Sequence, residues 1–487
     1  MLLHEYSVLD ATALAEGLRS GEFSAVEVRA AAVAAVTAVD PVLNAVVGER
    51  LELSPLDVDP DPRKHGDYRH VPFAVKDLVC QAAGVLHESG SALTAGHRAE
   101  QDSALMLRWR RAGLDVLYRT STPEFGLSCT TESAIGGATH NPWDTTRTPG
   151  GSSGGSAALV AAGALPWAHA NDAAGSIRIP AALCGLIGLK PSRGRVPTGP
   201  DSDDPLFGLS TEFAITRSVR DTAALLDIAG GKATGERYLL PTPTNGWLAE
   251  LSSSASRPLR IAVSSTSPFG GPVDADCVRA VTETAHTLAA LGHHVINVDL
   301  GIDGDEFIEM SSIFWSASIA ETVRSVRPRP GRPANVGLRP VTRVFADAGE
   351  HLSWQQVAAA RAWQNRITRQ IAEQQAKTYD LLVTPSTARP AWPTSEPSMD
   401  EVPASPAEWL RRLFAYVPFT PLANVTGAPA ITLPARPAGH LPVGVQFTAA
   451  LGEESLLLSV AAHLEAVADW TRLRPESHLS HPETPRA

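Results

Sequence analysis

Little in this 487-residue chain ties it to a membrane, a nucleic acid, a metal or an oxidising compartment. Cysteine is scarce: Cys80, Cys129, Cys184 and Cys277 are scattered without a CxxC pair, which argues against a disulfide framework or zinc site and fits reduced cytosolic thiols. The dispersed histidines show no metal-ligand spacing. No apolar run reaches the roughly 18 residues of a membrane span, and Met1–Tyr6 lacks the charged-then-apolar pattern of a secretion signal. There is no basic surplus either: the formal net charge is −11, and a nucleic-acid binder calls for a basic face. Internal repeats are absent. The expectation is a cytoplasmic protein with no membrane or nucleic-acid partner, long enough to bury a large core.

What is plentiful is glycine beside serine, in two places. Gly150 to Ser156 reads Gly-Gly-Ser-Ser-Gly-Gly-Ser, and Asn171 to Pro180 reads Asn-Asp-Ala-Ala-Gly-Ser-Ile-Arg-Ile-Pro, with the helical spacer Ala157–Leu165 between them. Glycine permits positive φ and close backbone approach. A serine behind such a turn is held exposed, with backbone N–H groups aimed at whatever bonds to its oxygen. A flexible linker has the same composition. The flanks decide against it, because Ala157 to Leu189 is apolar and short of charge, as a buried segment is.

These residues resemble the amidase-signature hydrolases. The resemblance rests on Thr148 to Gly155, on Ala174 to Ala182 continuing to Cys184-Gly185, on Gly188-Leu189-Lys190-Pro191, and on Val71-Pro72-Phe73-Ala74-Val75-Lys76-Asp77 upstream. It implies that Ser176 is the nucleophile, Ser152 a bridging serine on a cis peptide after Gly151, and Lys76 the base at the end of the relay. A lysine can take a proton only when neutral, and burial among apolar residues such as Val71 to Val75 disfavours the ammonium. A solvated lysine paired with Asp77 is the alternative from the local sequence alone. Backbone N–H groups of Ala173, Ala174, Gly175 and Ser176 would form an oxyanion hole, with Asp172 and Arg178 a buried pair orienting the turn. Ser153 and Ser156 read as helix-start serines.

The commoner family pattern has a glycine where this chain has Ala174. The variant His169 to Ser176 is similar to that of the 6-aminohexanoate cyclic-dimer hydrolase group within the family, which implies an ω-amino acid amide or a cyclic amide. The implied activity is hydrolysis of a small-molecule amide through a seryl acyl-enzyme, without cofactor or metal, in a monomer or homodimer. A transacylase passing the acyl group to an amine, and a catalytically silent scaffold subunit, are the alternatives.

Strand and helix alternate along the chain, which predicts an α/β fold: a large, mostly parallel, twisted mixed sheet covered by helices on both faces. Residues 1–70 read as an N-terminal helical clasp with a capping box at Ser24–Glu27, and 71–470 as the catalytic domain, with a candidate internal boundary at 232–257. The polar stretch 471–487 reads as a disordered tail. Gly126 and Ser128 face the substrate by resemblance, or are ordinary loop positions. Asp201–Gly208 is a lid or a plain surface loop. Phe314 and Trp315 wall the pocket or fill the core. Arg324–Arg343, six arginines among prolines, is an anion site or a solvated linker.

Overall fold

A computed structural model of the chain describes residues 1–53, 68–251, 257–326, 337–435, 441–468, 470 and 473–480. Three helices open it: α1 (Leu3–Val8), α2 (Ala11–Ser20) and α3 (Ala25–Leu43). Ser24 and Glu27 cap α3 reciprocally, as their spacing predicts. Strand β1 (Val46–Val47) follows, then β2 (Pro72–Lys76), α4 (Ala104–Arg111) and β3 (Asp115–Thr120). After the small hairpin β4 (Glu132–Ser133) and β5 (Gly137–Ala138) come α5 (Gly154–Ala161), β6 (Trp167–Asp172), α6 (Arg178–Cys184), β7 (Ile187–Lys190) and β8 (Thr211–Thr216). Next are α7 (Val219–Ala229), α8 (Trp247–Glu250), β9 (Arg260–Val263), α9 (Ala275–Ala290) and β10 (His294–Asn297). The remainder is α10 (Gly304–Ser325), α11 (Pro340–Glu350), α12 (Trp354–Thr378), β11 (Leu381–Pro385), α13 (Pro406–Tyr416), α14 (Pro421–Thr426), β12 (Ala430–Ala435), β13 (Val443–Thr448) and α15 (Glu454–Ala468).

Eight strands form one mixed sheet in the order β10-β9-β11-β13-β12-β7-β8-β6. The α/β class and the large sheet are as expected; the parallel majority is not. Only β10–β9 and β9–β11 run parallel, and the other five pairings are antiparallel. The reason lies in what is inserted. The crossover β6–α6–β7 leaves β6 and β7 pointing the same way, but β8 threads between them and opposes both. Likewise the consecutive strands β12 and β13 pair antiparallel between β11 and β7. Alternation of strand and helix in sequence does not reveal such insertions.

A second, three-stranded sheet has the order β1-β3-β2, with β2 and β3 parallel across α4. It stands against the edge strand β6, so β2 and β6 meet through side chains rather than through a shared ladder: Trp167 Nε1 donates to Pro72 O (3.1 Å). β2, β3, β6, β7 and β8 are buried along their whole lengths, as strands covered on both faces are. One apolar core runs from the N-terminal helices through both sheets to α15; a second fills the space among α10, α11, α12 and α13. The N-terminal helices are tied to the body by Asp221 of α7, whose carboxyl accepts the N–H groups of Ala11 (2.8 Å) and Thr12 (2.9 Å).

Residues 473–480, expected within a disordered tail, pack instead. His478 is buried, Leu479 N–H donates to Ala162 O (3.2 Å) and Ser477 Oγ to Pro142 O (2.7 Å). One apolar residue and one buried histidine anchor a stretch whose composition is polar. The rest of that tail, and Arg327, Arg329 and Arg332, lie outside the described residues. Of the other arginines in that stretch, Arg324 pairs with Glu350 and Arg339 with Asp400. Pro340 begins α11 rather than preventing it, since the first helical position needs no N–H.

Candidate active site

Lys76 ends β2 with no exposed surface. Its Nζ donates to Ser152 Oγ (2.6 Å) and Asn171 Oδ1 (2.5 Å). Burial pushes its pKa down to about 7, with Glu212 and Asp172 pulling back upward. Close to neutrality such an amine exists in both forms, which a proton acceptor needs. The solvated-lysine alternative is thereby removed: Asp77 turns away and binds Arg119 (2.9 Å).

Ser152 follows a cis peptide from Gly151. Gly151 is there for space, because a Cβ at that position would stand 2.2 Å from Thr130 O. Ser176 lies in the turn between β6 and α6 and is 8 % exposed, its Oγ bonded to no protein group among the described residues. Gly175 in the same turn has φ of 128° and approaches Thr420, where a Cβ would lie 2.3 Å from Thr420 Oγ1.

The turn is held from beneath by the expected pair. Arg178 donates to both Asp172 oxygens (2.8 and 2.9 Å), and its other N–H groups reach Asn424 Oδ1, Gln446 Oε1 and Thr420 O. Burial alone would raise the Asp172 pKa, but the Arg178 charge, then Asn424 and Lys190, hold it at about 2. Asp172 also accepts the N–H of Gly175 (2.7 Å) and of Ile177 (3.2 Å). This corrects one expectation. Gly175 N–H is turned inward onto the carboxylate, so it does not point at a substrate oxygen. The N–H groups of Ala173, Ala174 and Ser176 have no acceptor among the described residues. A second correction concerns Ser153 and Ser156, which do not cap α5: their hydroxyls donate to Asn171 O and His169 O, stitching α5 to β6.

Ser152 and Ser176 line one cavity of about 470 Å³, together with Gly126, Asn171, Ala173 and Trp315. Beside it, a tight apolar recess of about 30 Å³ runs past Ser176, Gly126, Ser128 and Ala174 to Ile179, Leu413 and Phe414. Gly126 and Ser128 therefore both reach the site, Ser128 in the recess with its hydroxyl against that of Thr130 (3.0 Å). Trp315 lines both spaces, whereas Phe314 is core, packed on Phe207. Residues 202 and 204–207 form part of the cavity rim. Asp204 is fixed there by Arg237 (3.1 Å) and Tyr238 (3.2 Å), so the stretch is anchored at the mouth rather than loose.

Sequence reasoning passed over Asn171, His169 and Glu212. The signal was available: Trp167, His169 and Asn171 alternate along β6 and so share one face. What faces that side cannot be read from β6 itself. Among the described residues no group of three or more His, Cys, Asp or Glu side chains could hold a metal ion, and no helix is long and apolar enough to cross a membrane.

Two serine hydroxyls at one open cavity of an α/β fold, with a buried amine of near-neutral pKa behind them, fit the hydrolase class that the family match shows. The chain belongs to the amidase family, whose model matches residues 56–458, and it is an amidase acting on carbon–nitrogen bonds other than peptide bonds. It is 36 % identical over 489 residues to the 6-aminohexanoate-cyclic-dimer hydrolase of Paenarthrobacter ureafaciens, covering 96 % of each chain. A solved structure of 6-aminohexanoate cyclic dimer hydrolase is 35 % identical, with a TM-score of 0.87 over 97 % of this chain and 99 % of that one. A bacterial aryl acylamidase, 24 % identical with a TM-score of 0.81 over 96 % and 99 %, shares the fold.

Proposed function

We propose that the chain hydrolyses a small-molecule amide of an ω-amino acid, linear or cyclic, through an acyl-enzyme on Ser176. Ser176 Oγ adds to the amide carbonyl while its proton passes to Ser152, and the Ser152 proton passes to the neutral Lys76 amine. The free N–H groups of Ala173, Ala174 and Ser176 surround the oxyanion; removing one such donor typically costs about 10²–10³ in rate. Collapse breaks the C–N bond, and the ammonium of Lys76 returns the proton through Ser152 to the departing amine. Water then repeats the sequence on the ester and releases the acid.

One observation carries this reading: the fully buried Lys76 Nζ lies 2.6 Å from Ser152 Oγ, in the cavity that Ser176 also faces. Ser176 and Ser152 are not hydrogen-bonded to each other in this structure. The relay closes that gap as the amide seats, since catalytic hydrogen bonds commonly tighten only in the substrate complex. A cavity of about 470 Å³ is within the usual range for small ligands. The ω-amino acid class is supported by the likeness to relatives named for the 6-aminohexanoate cyclic dimer.

The test is to incubate the purified protein with the cyclic dimer of 6-aminohexanoate, alkyl and aryl amides and a peptide amide, with and without an added amine. Release of free acid from the ω-amino acid amides supports the reading. Cleavage of the other amides alone overturns the substrate class, and conversion to the new amide in place of acid overturns hydrolysis.

A further inference from the structure

Beneath Lys76 lies a second polar layer that the relay does not use. The backbone N–H of Lys76 donates to His169 Nδ1 (3.2 Å), and His169 Nε2 meets Glu212 Oε2 (2.9 Å). His169 has no exposed surface and Glu212 is 2 % exposed. Because a backbone amide can only donate, Nδ1 must be the accepting nitrogen, which leaves the proton on Nε2 for Glu212. β6 and β8 are paired antiparallel with Asn171 directly opposite Glu212, so His169, Asn171 and Glu212 share one face. That face grips β2 at three points: Trp167 on Pro72 O, His169 on Lys76 N–H, and Asn171 on both Lys76 Nζ and Leu78 O.

The charged groups around Lys76 come from every element packed on it. Asp77 follows β2 and is bound by Arg119 of β3; Asp172 ends β6 and is bound by Arg178 of α6; Glu212 belongs to β8. Of these three carboxyls Glu212 alone has no arginine partner: its Oε2 meets His169, and its Oε1, like Oδ2 of the arginine-bound Asp77, is buried with no hydrogen-bond partner among the described residues. A buried carboxyl oxygen left without a donor carries a desolvation cost, and with no arginine beside it the Glu212 carboxyl acts on the Lys76 amine instead.

We infer that His169 and Glu212 are positioning residues for Lys76: His169 fixes the lysine backbone against β6, and the otherwise uncompensated carboxyl of Glu212 sets how readily the amine takes a proton. The inference rests on the proposed role of Lys76 as base. Glu212 is the largest influence opposing burial at Lys76, ahead of Asp172. Replacing it by glutamine keeps the acceptor for His169 Nε2–H and removes the charge. Lys76 then loses its proton at lower pH.

The test is the pH dependence of inactivation by a small fluorophosphonate, with the adduct located by peptide mass spectrometry, in wild-type protein, Lys76→Ala, Glu212→Gln, His169→Leu and His169→Gln. Wild-type labelling at Ser176 should rise with pH through a limb that Lys76→Ala abolishes. Glu212→Gln should move that limb to lower pH by about one unit, the scale of one nearby opposite charge, while its thermal melt stays cooperative. His169→Leu should slow labelling at the plateau, and His169→Gln, whose amide oxygen can accept the Lys76 N–H, should restore it. A limb at the same pH in Glu212→Gln, or equal plateau rates in both His169 variants and wild type, overturns the inference. If Glu212→Gln does not fold, Glu212→Asp, with the charge withdrawn by one methylene, is read the same way. An adduct elsewhere than Ser176, or a limb that survives Lys76→Ala, overturns the relay and this inference with it.

Discussion

Among the described residues the fold buries two lysines completely, and they look alike until their amines are followed. Lys76 ends β2 and Lys190 ends β7; neither has exposed surface, and burial pushes both to about 7. Asp172 pulls both upward. Lys190 Nζ, however, donates to Pro191 O (2.8 Å), a carbonyl with no proton to exchange. Lys76 Nζ meets a hydroxyl and a side-chain amide at the wall of the large cavity. Arg178 and Arg193 crowd Lys190, whereas Glu212 and Asp172 accompany Lys76. Burial lowers a lysine pKa wherever it occurs; the partner of the amine decides whether its neutral form has anything to do.

Changing each lysine in turn breaks or keeps this contrast most sharply. Lys76→Ala should reduce the rate of amide turnover by at least about 10³-fold, the upper range of what a positioned acid–base group supplies. Ser176→Ala should match it, and Ser152→Ala should fall nearly as far. Lys190→Met should stay within about tenfold of wild type, since its amine touches only a backbone carbonyl. Steady-state kinetics on any amide the protein cuts, beside a thermal melt of each variant, checks all four. A dead Lys190→Met beside an active Lys76→Ala would reverse the comparison.

The carboxylate the two lysines share gives the next largest effect. Asp172→Asn leaves the fully buried Arg178 guanidinium without its counter-charge, and breaking such a pair typically costs about 3–5 kcal/mol of stability. It also loosens the Gly175 and Ile177 N–H anchors of the turn that carries Ser176, so activity should fall with it. Denaturant unfolding of the variant against wild type measures the first, and kinetics below its melting range the second. Stability unchanged within about 1 kcal/mol would show that Arg178 finds compensation elsewhere.

The smallest effect is one in which the two lysines should behave identically. Both have folded pKa values below the unfolded value, so between about pH 7 and pH 10 the unfolded chain binds more protons and stability rises with pH. Each lysine contributes up to about 1.4 kcal/mol per pH unit to that slope. Lys190→Met and Lys76→Met should each reduce the slope of unfolding free energy against pH by that amount, although only one of them affects turnover. An unaltered slope in Lys190→Met would mean that its ammonium stays charged in the fold.

Much of the site was legible in the chain because its chemistry is local. Gly151 and Gly175 sit where a Cβ would strike Thr130 or Thr420, so glycine punctuation marked both serine turns. Asp172 and Arg178, six residues apart, could be paired from the turn they flank. The parts that were missed are pairings across distance. Glu212 stands opposite Asn171 only because β8 threads between β6 and β7, and nothing in the composition of β8 announces that insertion. Gly175 N–H turned out to belong to Asp172 because a fully buried carboxylate draws in the nearest donors, a competition that loop sequence does not show. His478 was misjudged for the opposite reason: a polar stretch can still place one side chain in a cavity left by Gly163.

By itself the sequence determined which groups are available: two glycine-flanked serines, a lysine at the end of an apolar strand, and a chain without the charge, thiol pairs or apolar runs for other trades. Only the tertiary structure decided which of two equally buried lysines faces a hydroxyl, which amides of the Ser176 turn are left without an acceptor among the described residues, and which carboxyl lies near Lys76 with no arginine partner. The division follows from range. Turn geometry and hydrophobicity act over a few residues, whereas desolvation and hydrogen-bond partnership depend on what other strands bring to the same point in space.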